Sequence, residues 1–267
     1  MNKVAFQKIV YDYFHLYGRD LPWRKAKNPY HVVVSEIMLQ QTQVRRVLQK
    51  YPLFVRRFPT IESLARASLK SILKVWQGMG YNRRALLLKR FAQRIVSEYK
   101  GKIPSCQEVL ETLPGIGKAT AASICAFAFN QPVVFLETNI RSVYIYHYFR
   151  GKDQVRDQEL LPFVAETLDY KNPRKWYNAL MDYGVFLKQK SDNPGRCSLH
   201  YRRQSQFEGS SRQIRGRILT LLLKTPGKTG RQISATLGVP AEKAQVILTA
   251  LLKEGLVRNS AQGDYSI

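Results

Sequence analysis

Pro114, Gly115 and Gly117 punctuate the chain between two stretches of helical apolar spacing, and this turn constrains the fold more than any other sequence feature. Gln107 to Leu110 leads into Leu113-Pro114-Gly115-Ile116-Gly117-Lys118, and Ala119 to Phe129 leads out. Pro114 fixes one torsion; the glycines allow positive φ and let another backbone come close. The first N–H groups of the outgoing helix can bind a phosphate oxygen without reading base sequence. A plain tight turn between two helices has the same pattern. The flanking chain keeps the helical period. Ile37, Val44, Val47 and Leu48 form one set. Ile61, Leu64, Leu69, Ile72, Leu73 and Val75 predict two short helices, and Leu86, Leu87, Phe91, Ile95 and Val96 another. No run of alternating strands appears, so the body through about Phe207 is read as all-α.

Charge narrows the partner. The 267 residues carry 43 Lys+Arg against 19 Asp+Glu, a formal net charge of +24. At 45% hydrophobic residues the chain can bury a core, which excludes global disorder. A polyanion, nucleic acid, is the natural partner of such a surface. The most apolar region, Ala119 to Leu136, is broken by Asn130, Gln131 and Pro132, so no membrane span or membrane partner is expected. Met1 to Gln7 lacks a signal-peptide core, which places the chain in the cytoplasm beside the nucleoid. Cys106, Cys125 and Cys197 are too few for a disulfide framework or a four-thiolate metal site. His15, His31, His147 and His200 lack metal-ligand spacing, and Tyr144, Tyr146, Tyr148 and Phe149 read as core packing.

From Lys188 to Arg217 the chain turns basic and irregular, with Pro194, Gly195, Gly209, Ser210 and Ser211 as breakers. It reads equally as a solvated linker and as a phosphate-contacting strap. Beyond it, Ile214, Ile218, Leu221 and Leu222 line one helical pattern, Gly230 to Pro240 reads as a helix, a turn and a helix start, and Val246, Ile247, Ala250, Leu251 and Leu252 line a third helical pattern. Gly255 to Arg258 and Gln262 to Ile267 look like small strands. This order resembles a winged-helix domain, whose third helix would be offered to a groove.

Two acids stand where chemistry is conceivable. Glu137 opens a helical pattern, Thr138-Asn139-Ile140-Arg141, where it is either a helix-start acid or a reactive carboxylate. Glu36 lies in Ser35-Glu36-Ile37-Met38-Leu39-Gln40-Gln41-Thr42-Gln43-Val44, where four polar residues interrupt a helix that should be amphipathic. Arg83 and Arg84 follow Tyr81 and read equally as phosphate contacts or a solvated face.

Taken in order, Leu21-Pro22-Trp23-Arg24, the Glu36 segment, Gly78-Met79-Gly80-Tyr81, the hairpin and Asn178-Ala179-Leu180-Met181-Asp182-Tyr183-Gly184 resemble the adenine DNA glycosylases of the MutY family, over roughly residues 5–200. The resemblance implies a two-lobed helix-hairpin-helix glycosylase core over residues 1–207, with lobes 1–26 plus 137–207 and 27–136, followed by a winged helix over 212–267. It implies that Glu36 is the general acid and that Glu137 faces the sugar. It places Arg19 and Arg24 near the flipped base, Gln41 and Tyr81 in the duplex, and Thr42 on the opposite purine. Asn139 would neighbour the sugar-facing acid, and Gly115, Gly117 and Lys118 would grip the backbone.

The chemistry agrees. Adenine is a poor leaving group as an anion and a good one once protonated at N7, which calls for a carboxyl still protonated near neutral pH. Burial raises a Glu pKa in this way. A second carboxylate opposes the developing oxocarbenium ion, and the base must be extruded because the duplex hides the bond.

The sequence also departs from the family. Its sugar-facing acid is Asp, and Glu137 adds a methylene that moves the carboxylate by ~1 Å, a shift able to cost ~10²-fold. The family's iron–sulfur cysteines are missing: Lys188 occupies the first position, and only Cys197 survives, with His200 near a third. No cluster, and no cofactor beyond a monovalent cation at the hairpin, is expected. The winged helix stands where the family's 8-oxoguanine-reading domain would be. Ala119 occupies the place of the Schiff-base lysine of bifunctional relatives such as endonuclease III, so a monofunctional glycosylase is expected. Its expected partner is mismatched or damaged duplex DNA, and the expected state is a monomer. The alternatives are a thymine or uracil mismatch glycosylase and a non-catalytic DNA-binding regulator.

Overall fold

The computed structural model describes residues 1–204 and 206–267. In chain order the helices are α1 (Lys3–Tyr17), α2 (Pro29–Leu39), α3 (Val44–Arg57), α4 (Ile61–Arg66), α5 (Leu69–Trp76), α6 (Arg83–Tyr99), α7 (Gln107–Glu111), α8 (Lys118–Phe129), α9 (Thr138–Tyr148), α10 (Asp157–Thr167) and α11 (Pro173–Lys190). The C-terminal region adds α12 (Ser211–Lys224), β1 (Lys228–Thr229), α13 (Gly230–Leu237), α14 (Ala241–Glu254), β2 (Arg258–Asn259) and β3 (Asp264–Ser266). The all-α reading of the body holds. No helix among the described residues is long and apolar enough to cross a membrane.

The chain divides into two compact units, and the boundary falls inside α2 between Glu36 and Ile37. The first unit comprises residues 1–36, 104–112 and 116–203. Its core joins Phe6 and Val10 of α1 to Ala122 and Ala126 of α8, Val143 and Tyr144 of α9, Val164 of α10, and Trp176 and Leu180 of α11. Asn2 starts α1 by accepting the N–H of Ala5 at 2.9 Å. The N-terminus returns to the later helices through Lys3, which donates to Leu168 O at 3.1 Å, and Gln7, which donates to Thr167 O at 2.8 Å. Buried hydroxyls are satisfied: Tyr177 donates to Val133 O at 2.6 Å, and Tyr144 pairs with Thr167 at 2.6 Å. Glycine is needed at Gly184, because a β-carbon there would overlap the carbonyl of Asn139. That absence lets α11 lie directly on the start of α9.

The second unit comprises residues 37–103, 113–115 and 204–267. Val47, Tyr51 and Phe54 of α3 are buried, while Arg45, Arg46, Arg56 and Arg57 of the same helix are exposed. Ile72 and Trp76 of α5 and Leu88, Phe91 and Ile95 of α6 complete that core. The polar run Gln40 to Gln43 does not sit inside a helix as the sequence suggested. The helix ends at Leu39, Gln41 turns left-handed with φ 51°, and α3 starts afresh.

The C-terminal elements follow the expected helix, helix-turn-helix, hairpin order. A strand the sequence did not advertise, β1, joins them, giving an antiparallel sheet of order β1-β3-β2. Leu256 and Val257, expected to begin a strand, are buried before it instead. This region belongs to the same compact unit as α3 to α6. A β-carbon on Gly255, after α14, would lie 3.2 Å from Arg90 Nη2 and 4.0 Å from Leu86 Cδ2 of α6. Residues 27–36, 104–112 and 116–136, expected in the middle lobe, group with the first unit, and 204–207, expected with the first lobe, group with the second. For α8 the reason is that it is apolar on nearly every face and buries Ala122 and Ala126 in the first unit's core.

Candidate active site and DNA-contact segments

Glu36 sits near the end of α2, half-buried, between fully buried neighbours. Loss of water pushes its pKa up from 4.5 to about 7. A hydrogen bond with Ser123 of α8 opposes the shift, and the negative charge of Glu137 adds to it. The Ser123 hydroxyl has one proton, and it already donates to Thr120 O at 2.9 Å. It can donate to the Glu36 carboxylate only by abandoning that carbonyl. Otherwise it is an acceptor, which favours a protonated Glu36.

Glu137 caps α9. Its Oε1 accepts the backbone N–H groups of Asn139 at 2.7 Å and Ile140 at 3.0 Å. Its Oε2 accepts the Thr138 hydroxyl at 3.1 Å and Asn139 Nδ2 at 3.2 Å. Every contact is a donor at a helix N-terminus, an arrangement that complements negative charge. The helix-start acid and the charge beside Glu36 are thus the same residue. Asn139 is held in turn by Lys188 of α11, whose Nζ donates to its Oδ1 at 2.9 Å.

Arg19 and Arg24 converge on Asp182 of α11, which is 2% exposed. Arg19 donates its backbone N–H at 2.8 Å and Nε at 2.7 Å; Arg24 donates Nη1 at 2.8 Å and Nη2 at 2.7 Å. Burial alone would raise the Asp182 pKa, but the hydrogen bonds and charge of Arg24 and then Arg19 hold it below the usual range.

In the second unit, Arg84 organises both segments expected to enter the duplex. It is 8% exposed, not the surface or phosphate residue its sequence context suggested. Nη1 donates to the carbonyls of Ile37 at 2.8 Å, Met38 at 2.9 Å and Gln40 at 2.5 Å, closing the end of α2. Nη2 donates to Thr42 Oγ1 at 2.9 Å and to Gly80 O at 3.3 Å. The guanidinium lies over the Trp76 and Tyr81 rings at 5.5 and 5.3 Å, and burial lowers its pKa to about 10. Sequence reasoning missed this role because carbonyl partners leave no signature in side-chain pattern. Arg84→Met should lower stability by about 3 kcal/mol, since it strands several buried carbonyls. Urea unfolding of the two proteins measures the loss.

Gln41 is exposed and Thr42 half-buried beside it. Tyr81, left-handed at φ 45°, has its hydroxyl bound by Gln204 Nε2 at 2.6 Å and Arg212 Nη1 at 3.0 Å. The basic strap and α12 therefore reach the residue expected to wedge into DNA. At the hairpin, Gly115 is left-handed at φ 80°, and a β-carbon would meet Leu87 Cβ at 2.9 Å. Gly117, expected to share that freedom, is extended at φ −97° and serves as the N-cap of α8, with open space at its β-position. No side chain caps α8, and Lys118 and Ala119 are exposed.

Residues 34–161 match the HhH-GPD superfamily base excision DNA repair proteins. The chain is 33% identical over 268 residues to an adenine DNA glycosylase of Mycolicibacterium smegmatis, covering 93% of this chain and 91% of that protein. This chain belongs to the adenine DNA glycosylase family. An adenine DNA glycosylase of Buchnera aphidicola is 37% identical over 74% of this chain, which spans 57% of that protein's length. The human family member is 33% identical over 68% of this chain, which spans 35% of its length. The fold is shared with a thermostable thymine-DNA glycosylase, at TM-score 0.62 and 24% identity over 68% of this chain and 86% of that one. Endonuclease III in a non-covalent DNA complex follows, at TM-score 0.54 and 15% identity over 70% of this chain and 86% of that one.

Against the family's iron–sulfur cluster, the donor set of this chain does not fit. A cluster needs four thiolates. The sequence has three cysteines: Cys106 exposed, Cys125 buried and Cys197 half-buried. No group of three or more His, Cys, Asp or Glu among the described residues is placed to hold a metal ion. Lys188 points to Asn139. The loop after α11 is held instead by the backbone of Val155, which donates to Cys197 O at 2.9 Å and accepts from Leu199 N at 3.0 Å.

Proposed function

We propose that the protein hydrolyses the N-glycosidic bond of adenine mispaired with guanine or 8-oxoguanine in duplex DNA, and stops at the abasic site. Glu36 carries the reading: an acid whose pKa is pushed to about 7 keeps its proton in about half of the molecules at neutral pH, when adenine N7 must receive one. Transfer of that proton to N7 lets adenine depart as a neutral molecule while the C1′–N9 bond breaks. Glu137 supplies negative charge beneath the oxocarbenium ion. Water adds to C1′, and its released proton restores the Glu36 carboxyl. The donors around Glu137 favour electrostatic stabilisation, since forming a covalent bond to C1′ would cost the carboxylate part of its cap.

The exposed, uncapped start of α8 and the basic face of α3 suit phosphate contact; Gln41, Thr42 and Tyr81 suit the lesion. With Ala119 after Lys118, no lysine follows the hairpin where a lyase would need one. Glu36 disfavours a pyrimidine substrate, because thymine and uracil have no N7 to protonate.

Duplexes carrying A·8-oxoguanine, A·G, T·G and U·G test the reading. Alkali-dependent strand scission only in the adenine duplexes is expected; scission in T·G or U·G alone, or binding without release, refutes it. The pH dependence has a definite sign. Protonated Glu36 is the active form, so single-turnover release should be flat below about pH 7 and fall about tenfold per unit above it. A rate that rises through that range would remove Glu36 as the acid.

A further inference from the structure

Lys188 lies outside every role given above, yet it is two hydrogen bonds from Glu137. Its Nζ donates to Asn139 Oδ1 at 2.9 Å, and Asn139 Nδ2 donates to Glu137 Oε2 at 3.2 Å. A terminal amide can rotate by half a turn, presenting either its donor or its acceptor. With Oδ1 towards Glu137, two oxygens would face each other. An ammonium on Oδ1 forbids that orientation and turns the NH2 group to the carboxylate.

The surroundings hold Lys188 in place. The absent side chain at Gly184 brings α11 onto Asn139 itself, where a β-carbon would lie 2.9 Å from Asn139 Cβ. A β-carbon at Gly195 would lie 2.7 Å from Ser142 Oγ and 4.0 Å from Lys188 Cε, so the following loop packs against the lysine stem. Burial lowers the Lys188 pKa, while Glu137 opposes that shift.

We propose that Lys188 is a positioning residue for Glu137: it fixes the orientation of the Asn139 amide, which fixes the outer oxygen of a carboxylate one methylene longer than the family's aspartate. This inference rests on the glycosylase reading. It assigns a role to a side chain standing where the family would place a cluster thiolate.

The test is a double-mutant cycle in single-turnover adenine release from an A·8-oxoguanine duplex, using full-length wild type, Lys188→Met, Asn139→Ala and the double variant. Lys188→Met should slow release by about ten- to a hundredfold, with duplex affinity unchanged. The double variant should be no slower than the slower single, because both changes remove one linkage. Lys188→Arg, which keeps a cationic donor, should stay within about threefold of wild type. Lys188→Leu, which also lacks a donor, replaces Met in the cycle if the latter does not fold. A Lys188→Met rate equal to wild type, or losses that multiply in the double variant, overturns the proposal. So does borohydride trapping of a DNA adduct that requires Lys188, since that would make the amine a nucleophile. A wild type that releases no adenine refutes the glycosylase reading itself; an active wild type with an indifferent Lys188 refutes only the inference.

Discussion

Glu36→Gln is expected to slow adenine release by about 10²- to 10⁴-fold, the range a general acid contributes. Affinity for an A·8-oxoguanine duplex should change little, because the amide keeps the size of the side chain and the backbone contacts lie elsewhere. Stability gives an independent check. Folded Glu36 binds its proton more tightly than the unfolded chain does, so its ionisation weakens the fold as pH rises from about 4.5 to about 7. The amide carries no such burden. The variant should therefore be at least as stable as wild type at pH 8 while being nearly inactive. Thermal unfolding and a single-turnover assay on one preparation decide the matter. A variant that is inactive and also melts early would assign Glu36 to the fold and not the chemistry.

Asp182→Ala is expected to cost about 3–5 kcal/mol of stability, the usual result of removing one partner from a buried charge cluster. Arg19 and Arg24 would be left facing each other without the carboxylate that binds both. The stabilisation has a pH window. The folded carboxyl lies below its ordinary pKa, so its contribution is present above the unfolded value and is lost as pH falls through the folded one. Urea denaturation at pH 7 should show the full loss, and the gap between wild type and variant should narrow in acid. Equal stability at pH 7 would show that the two arginines find other partners.

Helical periodicity located most elements correctly, since burial on one face leaves a repeat that side-chain type alone reveals. Ile61 to Val75 resolved into two short helices as the spacing predicted. Less was legible where the backbone is the partner. Nothing near Arg84 distinguishes a cation that binds carbonyls from one that faces water. For Glu137, the helix-start and reactive-carboxylate readings competed in the sequence; the folded chain shows the helix-start role, with the carboxylate accepting donors at the start of α9. Lys188 was visible as a missing cysteine and as the start of a basic strap; its partner lies 49 residues earlier, beyond the reach of local pattern. The division of the chain was misread around α8, because a helix apolar on all sides does not declare which core it enters.

Arg84 has one further consequence. Gln41 and Tyr81 both occupy the left-handed backbone region without being glycine, a conformation that costs of order 1 kcal/mol or more each. The same guanidinium ties down the carbonyls beside both of them. The two turns are consequently tensioned by a single anchor, and loosening it releases both together. If Gln41 and Tyr81 enter the duplex as proposed, they stiffen or slacken as a pair and share one mechanical fate.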